Sequence, residues 1–148
     1  MKEKLLISAC LLGRACRYDG RSVPAVDYEA LSEKYELIPV CPEVDGGLPT
    51  PRTPSERVGE RVLMRDGRDV TENYMRGAMH AYEECLKHGC RVALLKERSP
   101  SCGNGKIYDG SFSGTLTERD GVTAEYLKAR GISVFGESEI KILLDNAK

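Results

Sequence analysis

Residues 4–10 read Lys4-Leu5-Leu6-Ile7-Ser8-Ala9-Cys10, a short apolar run that stops at a cysteine. Such a run is too short for a helix and suits a buried strand. The same design returns twice. Glu36 to Val40 (ELIPV) ends at Cys41, and Arg91 to Lys96 (RVALLK) runs into Ser99-Pro100-Ser101-Cys102. A fourth run, Ile132 to Phe135 (ISVF), has no cysteine after it. Pro39 cannot donate to a ladder, so the second strand is expected at a sheet margin.

Helical periods lie between these runs. Asp27 can cap a helix through Tyr35, with Tyr28, Leu31 and Tyr35 on one face. Thr71 opens a long helix to about Lys87, with Met75, Ala78, Met79, Tyr82, Cys85 and Leu86 at three- and four-residue steps. Val122 to Ala129 is a third helix, stopped by Gly131, and Ser138 caps a last one carrying Ile140, Leu143 and Leu144. Strands alternating with helices give βαβ units. The expected fold is α/β: one Rossmann-like domain over residues 1–148, a mostly parallel sheet with helices on both faces. A small β-hairpin is expected at Arg61 to Val70, turning at Asp66-Gly67. Ile107-Tyr108 and Phe112 read as short strand pieces in a Gly-rich stretch.

Composition narrows the function. The 148 residues are 41% hydrophobic and 30% charged, in the range of a globular protein. Twenty-two basic against 23 acidic side chains give a net charge of −1, which argues against a DNA duplex as partner. No apolar run reaches the ~20 residues that span a bilayer. The stretch from Met1 to Cys10 reads as a first strand and not a signal peptide, so the expected compartment is the cytoplasm. In a reducing cytoplasm, six cysteines are core filler, nucleophiles or metal ligands.

Ligands of open α/β sheets bind beyond the carboxyl ends of the strands. Cys10, Cys41 and Cys102 all fall there if the strands are parallel. Three thiolates could hold a zinc ion, an iron–sulfur cubane with one iron left open, or nothing at all if they are small buried hydrophobes. Cys85 continues the apolar stripe of its helix, so Cys85 and Cys90 read as core. His80 and His88 read as surface residues. Arg52 and Glu56, in the Pro-rich loop, read as a salt bridge bracing it. No G-x-G-x-x-G follows a strand, so a nicotinamide or flavin fingerprint is lacking.

Four ordered motifs, ISACLLGRACRYDG, CPEVDGGLPTPRTPSE, LLKERSPSCGNGKIYDGSFSG and GVTAEYLKARGISVFGE, closely resemble the TudS-like thiouracil desulfidase family. The resemblance runs from Leu5 to about Glu137. It implies a 4Fe–4S cluster on three cysteines, here Cys10, Cys41 and Cys102. It also implies a non-redox reaction in which water replaces the sulfur of a small thiolated nucleobase or nucleoside, releasing sulfide and the oxygenated base. Glu43 is the acid/base candidate. Ser101 is a candidate hydrogen-bond donor, and Lys96 and Ser99 are candidate substrate contacts. Cys16 competes with Cys10 as a ligand, and Arg17, Tyr18 and Asp19 are candidates for the entrance. Two other readings stay open: a metal- or cluster-bearing sensor domain without turnover, and a thiol redox protein using Cys10 and Cys16.

Overall fold

The computed structural model describes residues 2–12 and 28–145. Asp27, Cys16, Arg17, Tyr18 and Asp19 lie outside the described residues. Strand β1 (Glu3–Ser8) leads into a 3-10 turn (Ala9–Leu12). Then come α1 (Tyr28–Lys34), β2 (Tyr35–Val40), the one-turn helix α2 (Pro42–Asp45), β3 (Ser55–Val58) and β4 (Arg61–Met64). The long helix α3 (Thr71–His88) precedes β5 (Val92–Leu95), β6 (Lys106–Tyr108), β7 (Leu116–Glu118), α4 (Val122–Ala129), β8 (Ser133–Gly136) and α5 (Ile140–Asp145).

Four strands form one parallel sheet in the order β2-β1-β5-β8. Period-two alternation divides its side chains between two cores. Leu6, Ile38, Ala93 and Leu95 pack with Ala81 and Cys85 of α3 and Ala124 and Leu127 of α4. Leu5, Ile7 and Leu94 pack on the other face with Leu31 of α1 and Leu143 of α5. Parallel strands buried on both faces need continuous apolar runs, which is why LLIS and VALL carry almost no charge. β2 is an edge strand, as Pro39 predicts, and Pro39 pairs in register with Ile7.

Three expectations are corrected. The hairpin is β3 against β4, turning at Gly59-Glu60. Asp66-Gly67 also turns the chain, but the returning arm makes only a single bridge, Leu63 to Asp69. Val70 is already drawn into α3's start, so no second strand can grow there. Phe112 is not in a strand: its φ of 56° places it in a left-handed turn between β6 and β7. Tyr35 belongs to β2 and not to the preceding helix. Cys85 and Cys90 close the end of α3. Gly89 takes a left-handed conformation (φ 74°), and the Cys90 N–H donates to the Cys85 carbonyl at 2.9 Å. Both thiols are buried, and the hydrogen bond that Cys85 donates to the Cys90 sulfur, with burial, pushes the Cys85 thiol up.

Candidate active site

β1 has β2 on one side and β5 on the other, so successive crossovers leave it in opposite directions. A crevice is expected beyond its carboxyl end. A cavity of about 410 Å³ lies there. Its wall includes Ser8 at the end of β1 and Cys10 after it, Cys41 and Glu43 after β2, and Lys96, Ser99 and Cys102 after β5. All three cysteines expected to converge do so. They come from three loops separated by some thirty to sixty residues.

Cys10 sits in the 3-10 turn and Cys41 directly before α2; both are half-buried. Cys102 is buried, its N–H donating to Ser99 Oγ at 3.0 Å. Burial pushes its thiol up to about 12, against a hydrogen bond from Ser8 and with a further rise from Glu43 and Cys41. Among the described residues, no three His, Cys, Asp or Glu side chains converge on a point that would hold one small ion. Cys10, Cys41 and Cys102 all belong to the lining of the cavity.

Glu43 is in the first turn of α2, and its carboxylate is held on both sides. Oε1 accepts from Arg52 Nε at 3.1 Å and from Arg52 Nη2 in a close ion pair. Oε2 accepts the Tyr74 hydroxyl at 3.0 Å. Burial opposes the Arg52 charge, but Glu43 outweighs it and raises the guanidinium pKa. Tyr74 is buried, which with Glu43 beside it pushes the phenol well above its ordinary value, so it stays a donor. The expected brace between Arg52 and Glu56 is absent. Glu56 instead accepts the backbone N–H groups of Gly110 at 2.9 Å and Phe112 at 3.1 Å.

The loop after β5 is built by side chain–backbone bonds. Ser99 lines the cavity, and its Oγ accepts the N–H of both Ser101 and Cys102 at 3.0 Å. Ser101 is fully buried and does not line the cavity; its hydroxyl pairs with Thr123 Oγ1 at 2.7 Å and bonds the Cys102 thiol. The first N–H groups of α4 anchor the same loop, Val122 to the Pro100 carbonyl at 2.8 Å and Thr123 to that of Ser101 at 2.7 Å. Lys96 lines the cavity, but its Nζ pairs with Glu137 Oε2 at 2.9 Å. His80 and His88 face Asp45 and Glu84.

Sequence reasoning missed Ser8, Tyr74 and the part taken by Arg52. Ser8 carried a signal: it is the one polar residue in an apolar run, at its carboxyl end. Its Oγ accepts the Lys96 N–H at 2.9 Å, tying β1 to β5 where both strands reach the cavity.

Parallel α/β architecture with three loop thiols and a clamped carboxylate around one cavity defines a small α/β protein with a thiol-lined pocket. The comparisons narrow it. The chain belongs to the 2-thiouracil desulfurase family, whose model matches residues 5–139. It is 37% identical over 150 residues to the Bacillus subtilis (strain 168) protein YbbK, described as uncharacterised, covering 95% of this chain and 99% of that one. A solved structure described as the 4Fe–4S-dependent thiouracil desulfidase TudS superposes with a TM-score of 0.92 at 49% identity. That match covers 96% of this chain and 95% of the other.

Proposed function

We propose that this protein is a desulfidase for a small thiolated nucleobase or nucleoside, with Cys10, Cys41 and Cys102 holding a 4Fe–4S cluster. The observation that carries the reading is the arrival of those three cysteines and Glu43 on the wall of one cavity. The donor set fits the group: iron–sulfur clusters take thiolates, and a cavity walled by thiols from three loops suits a polynuclear core better than one ion. The cluster, when bound, supplies a Lewis-acidic iron that favours sulfur as a ligand.

The chain's own residues do the rest. The Glu43 carboxylate lines the cavity two residues beyond Cys41 and acts as base toward the attacking water. The balance is hydrolytic: the carbon–sulfur double bond gives way to a carbon–oxygen one, water supplies the oxygen, and its two protons leave with sulfide. No electrons are exchanged. Ser99 has used its lone pairs on two N–H groups, so its hydroxyl proton is the one directed to substrate. Ser101 donates to the Cys102 sulfur and keeps that ligand in place. Lys96 contacts a carbonyl of the base.

The test is anaerobic reconstitution, followed by a count of iron and acid-labile sulfide. Sulfide release is then measured from 4-thiouracil, 2-thiouracil and their nucleosides. About four irons and four sulfides per chain are expected, with stoichiometric oxygenated base. Release of sulfide only when an external reductant is supplied would overturn the hydrolytic reading; a cluster without any release would favour a sensor.

A further inference from the structure

The geometry points to Tyr74 and Arg52 as positioning residues that fix the Glu43 carboxylate from opposite sides. The inference rests on the proposed role of Glu43 as base. Tyr74 comes from α3 and is 2% exposed, yet its hydroxyl is not spent on the backbone. It donates to Glu43 Oε2 and is hydrogen-bonded by Ser55. Arg52 comes from the Pro-rich loop. Its fork closes on Oε1, while Nη1 donates to the Pro49 carbonyl and to Thr50 Oγ1, both at 3.0 Å. One carboxylate oxygen is thereby tied to the loop and the other to the helix.

A carboxylate on a free side chain rotates about its last bond. With a rigid phenol on one oxygen and a planar guanidinium on the other, rotation would break a charge-assisted bond at either end. Three of the carboxylate's four lone pairs are taken, two on Oε1 and one on Oε2, which leaves a single defined one on Oε2 to act as base. Orientation of this kind acts on the reacting geometry and not on substrate affinity, so it is felt in kcat. Glu43 need not touch Cys10 or Cys102 for this, and neither clamp residue is a cluster ligand.

The test uses Tyr74→Phe, which deletes one oxygen, and Arg52→Met with Arg52→Lys beside it. Each variant is assayed as the reconstituted holoenzyme and crystallised. Tyr74→Phe and Arg52→Met are expected to keep wild-type iron and sulfide content. Their kcat should fall about 10- to 100-fold with KM nearly unchanged, and the Glu43 carboxylate should be displaced. Arg52→Lys, which keeps charge but not the fork, is expected to recover part of the loss. Wild-type kcat in both disruptive variants, where Glu43→Gln is inactive, would overturn the positioning role. So would an unmoved Glu43 in both crystal structures, and that outcome is decisive even if the wild-type protein releases no sulfide. An active Glu43→Gln variant would instead remove Glu43 as base.

Discussion

A methyl group placed on Gly77 would stand 1.9 Å from the carbonyl oxygen of Pro42. Helix α3 therefore touches the backbone of the turn that carries Cys41 and Glu43. Asn73 Nδ2 and Arg76 Nη2 extend the contact by donating to the Gly46 carbonyl at 2.9 and 3.2 Å. The turn between a thiol and a carboxylate is seated directly on the longest helix.

Gly77→Ala tests that seating. Alanine favours a helix interior by about 1 kcal/mol over glycine. Here the contact is with backbone, which cannot swing aside, and overpacking costs about 1–3 kcal/mol. A net loss of stability in urea denaturation is expected, together with less iron retained after reconstitution. A more stable variant with full iron would show that α2 can shift freely on α3.

The strands of the main sheet were legible because parallel strands buried on both faces must be apolar at their centres, and Leu5-Leu6-Ile7 and Val92-Ala93-Leu94-Leu95 are. Convergence of the three cysteines followed from that alone, since each ends or follows a strand. The hairpin was displaced because Asp66-Gly67 is a stronger local turn signal than Gly59-Glu60. Tertiary packing of Val62, Met64 and Val70 beneath the hairpin decided otherwise. The clamp on Glu43 was not legible at all. Its partners lie nine and 31 residues away, on a loop and a helix whose approach no local pattern encodes.

The thiols divide into two groups with opposite expectations. Cys10→Ser, Cys41→Ser and Cys102→Ser each remove a proposed soft ligand and are expected to lower iron content sharply. Cys85→Ala removes a buried sulfur that packs with Leu6 and Ala93. It is expected to keep iron at the wild-type level and to cost about 1 kcal/mol of stability. Iron analysis and denaturation of the four variants separate the two groups. Loss of iron from Cys85→Ala without unfolding would contradict the assignment.

Removal of the metal should leave the fold standing. The two cores flanking the sheet are built mainly from Leu5, Leu6, Ile7, Leu94, Leu95 and their helix partners, with only Cys102, Leu11 and Leu12 added from the site loops. Chelation under air is therefore expected to leave the far-ultraviolet dichroism unchanged while the visible absorbance disappears. Collapse of secondary structure on chelation would mean that the cluster, and not the cores, holds the chain together.

Lys96 has two claims on it. Its ammonium pairs with Glu137, a carboxylate that also accepts the Glu97 N–H at 2.6 Å, and the residue lines the cavity. Glu137→Gln breaks the ion pair without reaching the cavity wall. Lys96→Met breaks the pair and removes this ammonium from the cavity wall. The pair is partly exposed, so each variant is expected to lose no more than about 1 kcal/mol of stability. A role in substrate contact predicts that Lys96→Met alone raises KM, about tenfold or more for one lost charged hydrogen bond. Equal KM values in the two variants would reduce Lys96 to the ion pair.

Glu56 lines the cavity and braces the turn beside it. It is 7% exposed, and one oxygen accepts the N–H groups of Gly110 and Phe112, two residues at positive φ (96° and 56°). Tyr108 and Gly114, on either side of that turn, line the cavity. Glu56→Ala leaves two N–H groups without their acceptor and a non-glycine residue in a costly conformation, together worth about 1–3 kcal/mol locally. Amides of residues 110–114 are then expected to exchange at least tenfold faster in hydrogen–deuterium measurements. Exchange in β1 and β5 should stay at the wild-type rate, because those strands are held by their own ladders. KM should rise as the wall loosens, and Glu56→Gln, which retains an acceptor oxygen, should lie between. Uniformly faster exchange across the chain would mean that Glu56 supports the whole fold and not this wall.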